Sequence, residues 1–197
     1  MAKIVLLSCT KSKLDKPAPA KDMYSPSPMF QKTKVYGEAL KPDKMFILSA
    51  KYGLLPMDKQ IEPYDLTLKT MKKEEKDQWG ETVKSQMSKM GVNPQSDKFV
   101  FLTGAEYMKP LEGFIPAKNK EKPMEGKRMG ERLSWLNSQA QKLKEIVKKI
   151  NNLEKEIYKV AKKEFNIGST KQLGEVMYNE MKISSLKKTK KGRDIKT

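Results

Sequence analysis

Three short runs of apolar residues stand out in the first half of the chain, at residues 4–7, 45–48 and 99–102 (IVLL, MFIL and FVFL). Each run is continuous rather than alternating, which is typical of strands covered on both faces. The stretches between them, at residues 29–40 and 71–90, are compatible with helices. This alternation predicts right-handed βαβ units, and hence a small three-layer α/β domain with a mostly parallel sheet.

After the third run the spacing of apolar residues changes to the helical period, from residue 129 to residue 164. Neither Gly nor Pro occurs between residues 131 and 164, and Lys and Glu fill the other faces. The stretch predicts a long amphipathic helix, or a helical pair broken near Asn151 and Asn152. The α/β domain is therefore followed by a helical C-terminal appendage.

Beyond this helix, Ser169 is placed to cap a shorter helix at residues 170–181. The last 14 residues, 184–197, are strongly basic and are predicted to be disordered. The predicted organisation is an α/β pocket domain at residues 1–137, a helical segment at residues 138–183, and the basic tail.

Composition removes several kinds of chemistry from consideration. The 197 residues include no His and a single Cys, Cys9, so His-based catalysis, His-ligated or Cys-cluster metal sites and an intramolecular disulfide are all excluded. No motif calls for a metal or a cofactor. The single cysteine and an N-terminal apolar run too short for a signal peptide or a membrane span indicate a cytoplasmic protein without membrane contact.

The formal charge of +17, from 41 Lys and Arg against 24 Asp and Glu, indicates the kind of partner. Residues 138–197 carry 16 of the basic and 7 of the acidic residues, so the excess is concentrated at the C-terminal end. Such a distribution is typical of a polyphosphate partner, here DNA. A Lys-rich solubilising surface remains the alternative interpretation.

Small polar residues follow each of the three predicted strands: SCT at residues 8–10, SAK at residues 49–51 and TGA at residues 103–105. In parallel sheets, ligands bind where the carboxyl ends of the strands and their loops gather. The sequence therefore predicts one pocket assembled from three loops.

Motifs spread over the first 137 residues resemble the YaaA-like superfamily, particularly its small phage and bacterial members of uncharacterised function. The matching motifs, in order, are SCTKSK (8–13), PA with MYS (19–25), LSAKYGLL (48–55), PYDLTL (63–68), Gly104 with Tyr107, and PMEG leading to Gly130 and WL (123–136). The resemblance implies an α/β fold related to nucleoside and base N-glycosidases, with links to DNA or modified-base metabolism.

Cleavage of an N-glycosidic bond passes through an oxocarbenium-like centre that a carboxylate stabilises or attacks. Asp65 is the first candidate for this carboxylate, and Cys9 is a candidate for an alternative nucleophile. Lys51 and Lys11 are candidates either for holding a 5′-phosphate or for protonating the departing base. The predicted substrate-binding residues are Ser8, Lys11, Lys13, Tyr24, Ser49, Tyr52, Gly53, Tyr64, Gly104 and Tyr107.

Each of these candidates also has a purely structural interpretation. Asp65 could cap a turn or pair with a lysine, Lys51 could be an ordinary surface lysine, and Cys9 could be a small core residue. The tyrosines could be packing residues rather than stacking partners for a base, and Gly53 is expected at a backbone position with positive φ.

A second resemblance covers residues 150–191, which are similar to the thumb region of family A DNA polymerases. The quoted stretches are LEKEIY (153–158), EFNIGSTKQLGEVM (164–177) and KKTKKG (187–192). The resemblance implies a SAP-like helix–loop–helix unit that grips the phosphate backbone of DNA, without polymerase activity. Gly168 and Thr170 depart from the Asn and Pro usual in that loop, so the loop is expected to be looser.

The predicted DNA-binding residues are Ser169, Thr170, Lys171, Gln172, Lys187, Lys188, Lys190 and Lys191. Contacts of this kind are made to phosphates and do not read sequence, so duplex DNA of any sequence is the expected partner. For the basic tail, an unbound solvated segment is the alternative.

The leading hypothesis from the sequence is a DNA-linked enzyme of the N-glycosidase or base-processing type, acting on a nucleotide or modified base. The alternatives are a non-catalytic DNA-binding accessory protein with a vestigial pocket, and an enzyme acting on free nucleotides. The two resemblances together imply a phage or mobile-element origin, in which case the location is the host cytoplasm.

Overall fold

The computed structural model describes residues 1–183 and the backbone of two short strands beyond them, Lys187–Lys188 and Asp194–Ile195. The chain divides into two compact units, Met1–Ala140 and Gln141–Thr197. The first unit contains the predicted sheet, and the second is built mainly from helices.

The first unit contains one mixed sheet and a separate two-stranded ribbon. Its strands, in chain order, are β1 (Lys3–Ser8), β2 (Ala18–Pro19), β3 (Lys44–Ser49), β4 (Gly53–Pro56), β5 (Gln60–Ile61), β6 (Lys98–Leu102) and β7 (Lys120–Glu121). The sheet has the order β4-β3-β1-β6-β7, and β2 pairs with β5. All neighbours in the sheet are parallel except β4, which runs antiparallel to β3. The predicted α/β class and mostly parallel sheet are confirmed.

The helices of the described residues follow in the same order. They are α1 (Ala20–Met23), α2 (Pro28–Ala39), α3 (Lys73–Lys89), α4 (Ala105–Met108), α5 (Met129–Ala161) and α6 (Thr170–Gly174). Short 3₁₀ turns lie at Leu68–Thr70, Lys109–Leu111 and Ala117–Asn119, and a π-helical segment, Glu175–Glu180, follows α6. The helices predicted between the apolar runs are α2 and α3.

Strand β1 is the centre of the core. Its residues from Ile4 to Leu7 are all fully buried, so both faces of the strand are covered. Helix α2 approaches one face closely, because a Cβ at Gly37 would lie only 3.1 Å from Val5 Cγ1 and from Met45 Sδ. The N-terminus of α2 is fixed by Ser27, whose Oγ accepts a hydrogen bond from Phe30 N at 3.3 Å.

In the appendage, α5 runs through Asn151 and Asn152 without a break. Of the two predicted alternatives, a long helix or a broken helical pair, the structure therefore has the long helix. The helix predicted at residues 170–181 is α6 continued by the π-helical segment. The tail prediction for residues 184–197 falls outside the described residues, apart from the antiparallel strand pair β8 (Lys187–Lys188) and β9 (Asp194–Ile195).

Gly53 has the predicted positive φ, of 72°, at the start of β4. The side chain of Gln86, on α3, closes over this turn: its Oε1 accepts from Leu54 N at 2.6 Å and its Nε2 donates to Tyr52 O at 2.9 Å. A Cβ on residue 53 would lie 2.2 Å from that Oε1. Helix α3 and the turn before β4 therefore depend on a glycine at this position.

We expect Gly53→Ala to lower the free energy of unfolding by about 2–4 kcal/mol, because the left-handed φ costs about 1–2 kcal/mol and each disturbed Gln86 hydrogen bond about 1 kcal/mol. Gly91→Ala is the matched control, since Gly91 has a φ of 64° but its nearest neighbour, Lys44 Nζ, is 3.7 Å from the added Cβ. Urea unfolding followed by circular dichroism measures both. Equal losses in the two variants would contradict the role given to Gln86.

Candidate functional site

The carboxyl ends of the three central strands lie at the same edge of the sheet. The parallel register aligns Ser8 with Leu48, and Leu7 with Leu102. Just beyond the strands, Cys9 N donates to the carbonyl of Leu48 at 3.0 Å, and Cys9 Sγ lies 3.0 Å from the hydroxyl of Tyr107. The loops that the sequence singled out are thus brought together at this edge.

Three hydroxyl groups are linked here, and we call Ser49, Tyr24 and Tyr64 the hydroxyl triad. The Tyr64 hydroxyl lies 2.8 Å from that of Tyr24 and 2.7 Å from Ser49 Oγ. Ser49 is held in place at both ends, because its Oγ accepts from Tyr52 N at 3.1 Å and its carbonyl accepts from the Trp79 indole at 2.8 Å. The centre of the triad is therefore a fixed arrangement rather than a set of mobile surface groups.

The triad is a network of groups that can both donate and accept hydrogen bonds. Besides its two hydroxyl–hydroxyl contacts, the Tyr24 hydroxyl interacts with Ser49 and the Tyr64 hydroxyl with the Cys9 thiol. A ligand that offers a hydrogen-bond acceptor can replace one of these contacts.

The phenols of this region stay protonated well into the alkaline range. Burial raises the pKa of Tyr24, Tyr64 and Tyr107, and the neighbouring Cys9 thiol raises each of these pKa values further. At neutral pH these residues are therefore hydrogen-bond donors and not anions.

Two lysines lie beside the Tyr64 ring. Lys13 Nζ is 4.3 Å from the centre of this ring, and Lys51 Nζ is 5.9 Å from it and 5.1 Å from the centre of the Tyr52 ring. The Tyr52 and Tyr64 rings meet edge to face, with centroids 5.5 Å apart. Lys51 is exposed and Lys13 is half-buried, so both ammonium groups are available to an anion close to the triad.

Cys9 and Tyr107 form the other end of the site. Cys9 is a free thiol, 8% exposed, and the Tyr107 ring packs edge to face on Trp79 with centroids 5.8 Å apart. Nearby, Thr103 is buried directly after β6 and its Oγ1 has no hydrogen-bond partner among the described residues. Gly104 is the residue that precedes α4.

Asp65 is placed differently from the other candidates. It is exposed, and within residues 1–183 it makes no hydrogen bond or ion pair, including none with Lys51. Lys11 is also exposed, and only its carbonyl is engaged, accepting from Lys13 Nζ at 3.3 Å. Ser8 ends β1, where it is half-buried. The structure thus brings together the tyrosines, Ser49, Lys13 and Lys51, while nothing in it orients the Asp65 carboxylate.

Sequence reasoning missed Trp79 and Gln86, which hold Ser49 and the turn around Gly53 from α3. Only one signal pointed to Trp79, namely a large aromatic residue on the apolar face of a predicted helix. The sequence offered no sign that this side chain would reach the backbone of β3.

In the second unit, the predicted cap is present: Ser169 Oγ accepts from Gln172 N at 3.4 Å. The Gln172 side chain is used within the loop, because its Oε1 accepts from Asn166 N at 2.8 Å. Thr170 and Lys171 are exposed. The side chains of Lys187 and Lys188, and all of Lys190 and Lys191, lie outside the described residues.

An apolar groove of about 450 Å³ lies between the C-terminal part of α5 and the elements that follow it. Its lining includes Phe165, Leu173, Val176 and Met177. Tyr158, on α5, is tied to the loop, since its hydroxyl donates to the carbonyl of Phe165 at 3.1 Å.

A search of the described part of the chain finds no group of three Cys, Asp or Glu side chains that could hold a metal ion. None of the helices in the described residues combines the length and apolar character needed to cross a membrane.

The fold and the edge of the sheet define an α/β protein with a polar and aromatic candidate binding site, followed by a helical segment of a different kind. The chain belongs to a family of unknown function, DUF6884, whose model matches residues 4–138. The comparisons offer no support for the YaaA-like resemblance, which stays a prediction.

The helical segment is similar to DNA polymerases. The model of DNA polymerase family A matches residues 136–197. DNA polymerase I of Geobacillus stearothermophilus is 44% identical over 48 residues, and that of Caldicellulosiruptor bescii is 47% identical over 49 residues. These matches cover 24% and 25% of this chain but only 6% of each polymerase. No solved structure matches the chain.

We expect the free energy of unfolding to fall as the pH rises above about 10, because unfolded tyrosines then ionise while Tyr24, Tyr64 and Tyr107 keep their protons in the folded state. Below about pH 10 both states are protonated and this contribution is constant. Tyr64→Phe removes one of these phenols and should lessen the fall by about 1.4 kcal/mol per pH unit.

Urea unfolding at a series of alkaline pH values measures this slope. The matched control is Tyr52→Phe, which removes a hydroxyl that only donates to the surface carbonyl of Glu62 at 3.3 Å. This variant keeps Tyr24, Tyr64 and Tyr107 and should therefore keep their contribution to the slope, and a Tyr64→Phe curve parallel to that of the wild type would contradict the assignment.

Proposed function

We propose that this protein is a DNA-linked enzyme of the N-glycosidase or base-processing type. Its substrate would bind at the hydroxyl triad between Lys13 and Lys51, and its polymerase-like segment would hold it on DNA. The observation that carries the proposal is the set of groups around Tyr64: two ammonium groups beside the ring and the protonated hydroxyls of the triad.

These groups suit the parts of a nucleotide. A phosphate is attracted to the two ammonium groups, and a base offers carbonyl and ring-nitrogen acceptors to the hydroxyl groups of the triad. Aromatic rings also stack on bases without regard to their identity, a contribution of about 1–3 kcal/mol per base. The half-buried Tyr52 and Tyr64 rings would serve this purpose.

In the proposed reaction the bond between the sugar C1′ and the base nitrogen breaks, and the electron pair leaves with the base. Lys51 would give a proton to the departing base. Asp65 would stabilise the oxocarbenium-like centre or attack it, and water would then release the sugar. The exposed Asp65 would have to be oriented by the bound substrate, since no group of the described residues does so.

DNA contact is proposed for the second unit. Ser169, Thr170, Lys171 and Gln172 lie in the part of the chain that is similar to DNA polymerases, and they would contact phosphates in the manner of a SAP-like polymerase thumb. The basic residues Lys187, Lys188, Lys190 and Lys191 would add affinity without sequence preference. The free thiol of Cys9 fits a reducing cytoplasm.

One observation favours a second candidate function. Because the Asp65 carboxylate has no orienting contact, the chain could be a DNA-binding accessory protein that uses the triad only to bind a nucleotide. The two candidates differ in whether the N-glycosidic bond is cleaved.

Base release from modified and unmodified DNA, measured by mass spectrometry of the reaction products, separates the two. If Asp65 and Lys51 act as proposed, Asp65→Asn and Lys51→Ala should each lower the rate by about 10²–10⁴-fold with DNA affinity unchanged. Asp58→Asn is the matched control, since Asp58 is an exposed carboxylate paired with Lys21 at 3.0 Å, and it should keep the wild-type rate. Absence of base release from every DNA and free nucleotide tested would reject the enzyme.

DNA affinity should depend steeply on salt. For about six phosphate contacts, affinity should fall about 10³-fold or more between about 50 and 200 mM salt, because bound counterions are released. Lys171→Ala should reduce the slope of log affinity against log salt by about 1, whereas Lys32→Ala, an exposed lysine of α2, should leave it unchanged. A slope near zero in a fluorescence anisotropy titration would reject the DNA contact.

The same variant addresses the third candidate, an enzyme acting on free nucleotides. If DNA is the substrate, Lys171→Ala should lower base release from DNA at limiting concentrations and leave the turnover of free nucleotides unchanged. Turnover confined to free nucleotides in the wild-type protein would identify them as the substrate.

A further inference from the structure

A guanidinium group that the sequence analysis did not single out lies at the same edge of the sheet as the candidate site. Arg132 is near the start of α5, within the first unit, and its Nη1 donates to the carbonyl of Thr103 at 3.3 Å. A Cβ on Gly104 would lie 3.6 Å from the same Nη1. Arg132 therefore borders the loop that carries Tyr107, at the Cys9–Tyr107 end of the site.

The position of this guanidinium is fixed by the fold. One turn further along α5, Leu136 is only 2% exposed and belongs to the core of the first unit. The ring of Trp135 packs on Tyr36 with centroids 4.9 Å apart. The Nε of Arg132 donates to the carbonyl of Lys127 at 2.8 Å. Two carbonyls thus orient a planar group on an anchored helix, which reduces the entropy lost when it binds a ligand.

Most of the hydrogen-bonding capacity of Arg132 is unused. A guanidinium has five N–H donors, and only two of them find acceptors within the described residues. Arg132 forms no ion pair there. Two carboxylates of adjoining segments are engaged elsewhere, since Glu106 pairs with Lys76 at 2.6 Å. Glu125 pairs with Lys122 at 2.8 Å. A half-buried arginine in this state is suited to a phosphate, which accepts two parallel N–H bonds.

The site therefore has positive charge at two separate places. Lys13 and Lys51 lie beside Tyr64, whose hydroxyl is bonded to Ser49 at the end of β3. Arg132 is bonded to the residue that follows β6. Strand β1 lies between β3 and β6, so these two strand ends are about 10 Å apart, twice the distance between neighbouring strands. A single phosphate group is too small to be held at both places.

A nucleotide within a DNA strand carries a phosphate on each side of its sugar, whereas a free nucleoside monophosphate carries one. We propose that the site takes a nucleotide within a strand, and that Arg132 holds one of the two flanking phosphates while Lys13 and Lys51 attract the other. This inference rests on the binding part of the proposed function and names its substrate more closely. It does not require that the N-glycosidic bond is cleaved.

The test uses small ligands that separate the two phosphates. The four deoxynucleoside 3′,5′-bisphosphates carry both phosphates of a strand nucleotide, and they are compared with the matching 3′-monophosphates, 5′-monophosphates and nucleosides by isothermal titration calorimetry of the full chain. The wild-type protein should bind at least one bisphosphate about 10-fold or more tightly than either of its monophosphates, because each hydrogen-bonded charge contributes about that factor.

Arg132→Gln should weaken the binding of this bisphosphate and of one monophosphate by about 10-fold or more, and leave the other monophosphate and the nucleoside unchanged. Arg132→Lys, which keeps the charge but cannot bind a phosphate bidentately, should lose about 3–10-fold for the same two ligands. Arg128→Gln is the matched control, since Arg128 is exposed and its side chain makes no hydrogen bond or ion pair within residues 1–183. It should bind all ligands like the wild type.

Urea unfolding verifies that each variant is folded, and Arg132→Lys decides if Arg132→Gln is not. An equal loss for the nucleoside and its phosphates would show that Arg132 only supports the loop, and would overturn the proposal. So would a wild-type protein without preference for the bisphosphate, or without binding of any bisphosphate at about 1 mM. Base release together with unchanged bisphosphate affinity in Arg132→Gln would reject only this proposal. Arg132-dependent binding without base release would reject only the enzyme.

Discussion

Strand β1 makes backbone hydrogen bonds with β3 on one side and with β6 on the other, and both partners run parallel to it. This pairing requires both faces of β1 to be covered, which four successive fully buried residues allow. It also determines where the strands end: with three parallel strands in register, Cys9, Ser49 and Thr103 must emerge at one edge. The candidate site is thus a consequence of strand direction, and the loops supply only its chemistry.

That chemistry is constrained by the absence of histidine. Without an imidazole, the site relies on phenols, a serine hydroxyl, a thiol and lysine ammonium groups. Burial raises the pKa of the phenols, so they are donors, and the lysines supply positive charge. A site with donors and cations, but with its candidate carboxylate, Asp65, unoriented at the surface, is better prepared to bind an anion or a base than to abstract a proton. In the proposed function, binding therefore depends on the donors and cations, and bond cleavage depends on Asp65.

Much of the fold could be predicted from the sequence because the determining signals are local. The runs IVLL, MFIL and FVFL are continuous, and Ser27 and Ser169 are strong helix caps. The strands β2, β5 and β7 have only two residues each. They form only because they pair with strands distant in the sequence, so no local sequence pattern predicts them. Of the two alternatives for residues 129–164, the single long helix is the one observed. Asn is a weak helix former, but it does not interrupt the backbone hydrogen bonds as Pro would.

Prediction of the site was limited in the same way, because local signals identify residues but not the contacts between residues far apart in the sequence. Strand ends identified Ser49, Lys51 and Cys9, since chain direction alone brings them together. The contacts of Tyr24 with Tyr64, and of Lys13 with the Tyr64 ring, join residues 40 and 51 positions apart, and only the folded chain reveals them. The PYDLTL motif contains in Asp65 the residue type needed for the chemistry, but the exposure of this side chain and its lack of partners could not be inferred from the motif.

The position of Trp79 has a practical consequence. Its indole donates to the backbone of Ser49 and its ring lies against Tyr107, so it contacts both ends of the candidate site. The chain has only one other tryptophan, Trp135, whose ring packs on Tyr36. The intrinsic fluorescence of Trp79 is therefore a built-in optical reporter, through which compounds can be screened for occupancy of the site without labelling the protein and before any reaction is known.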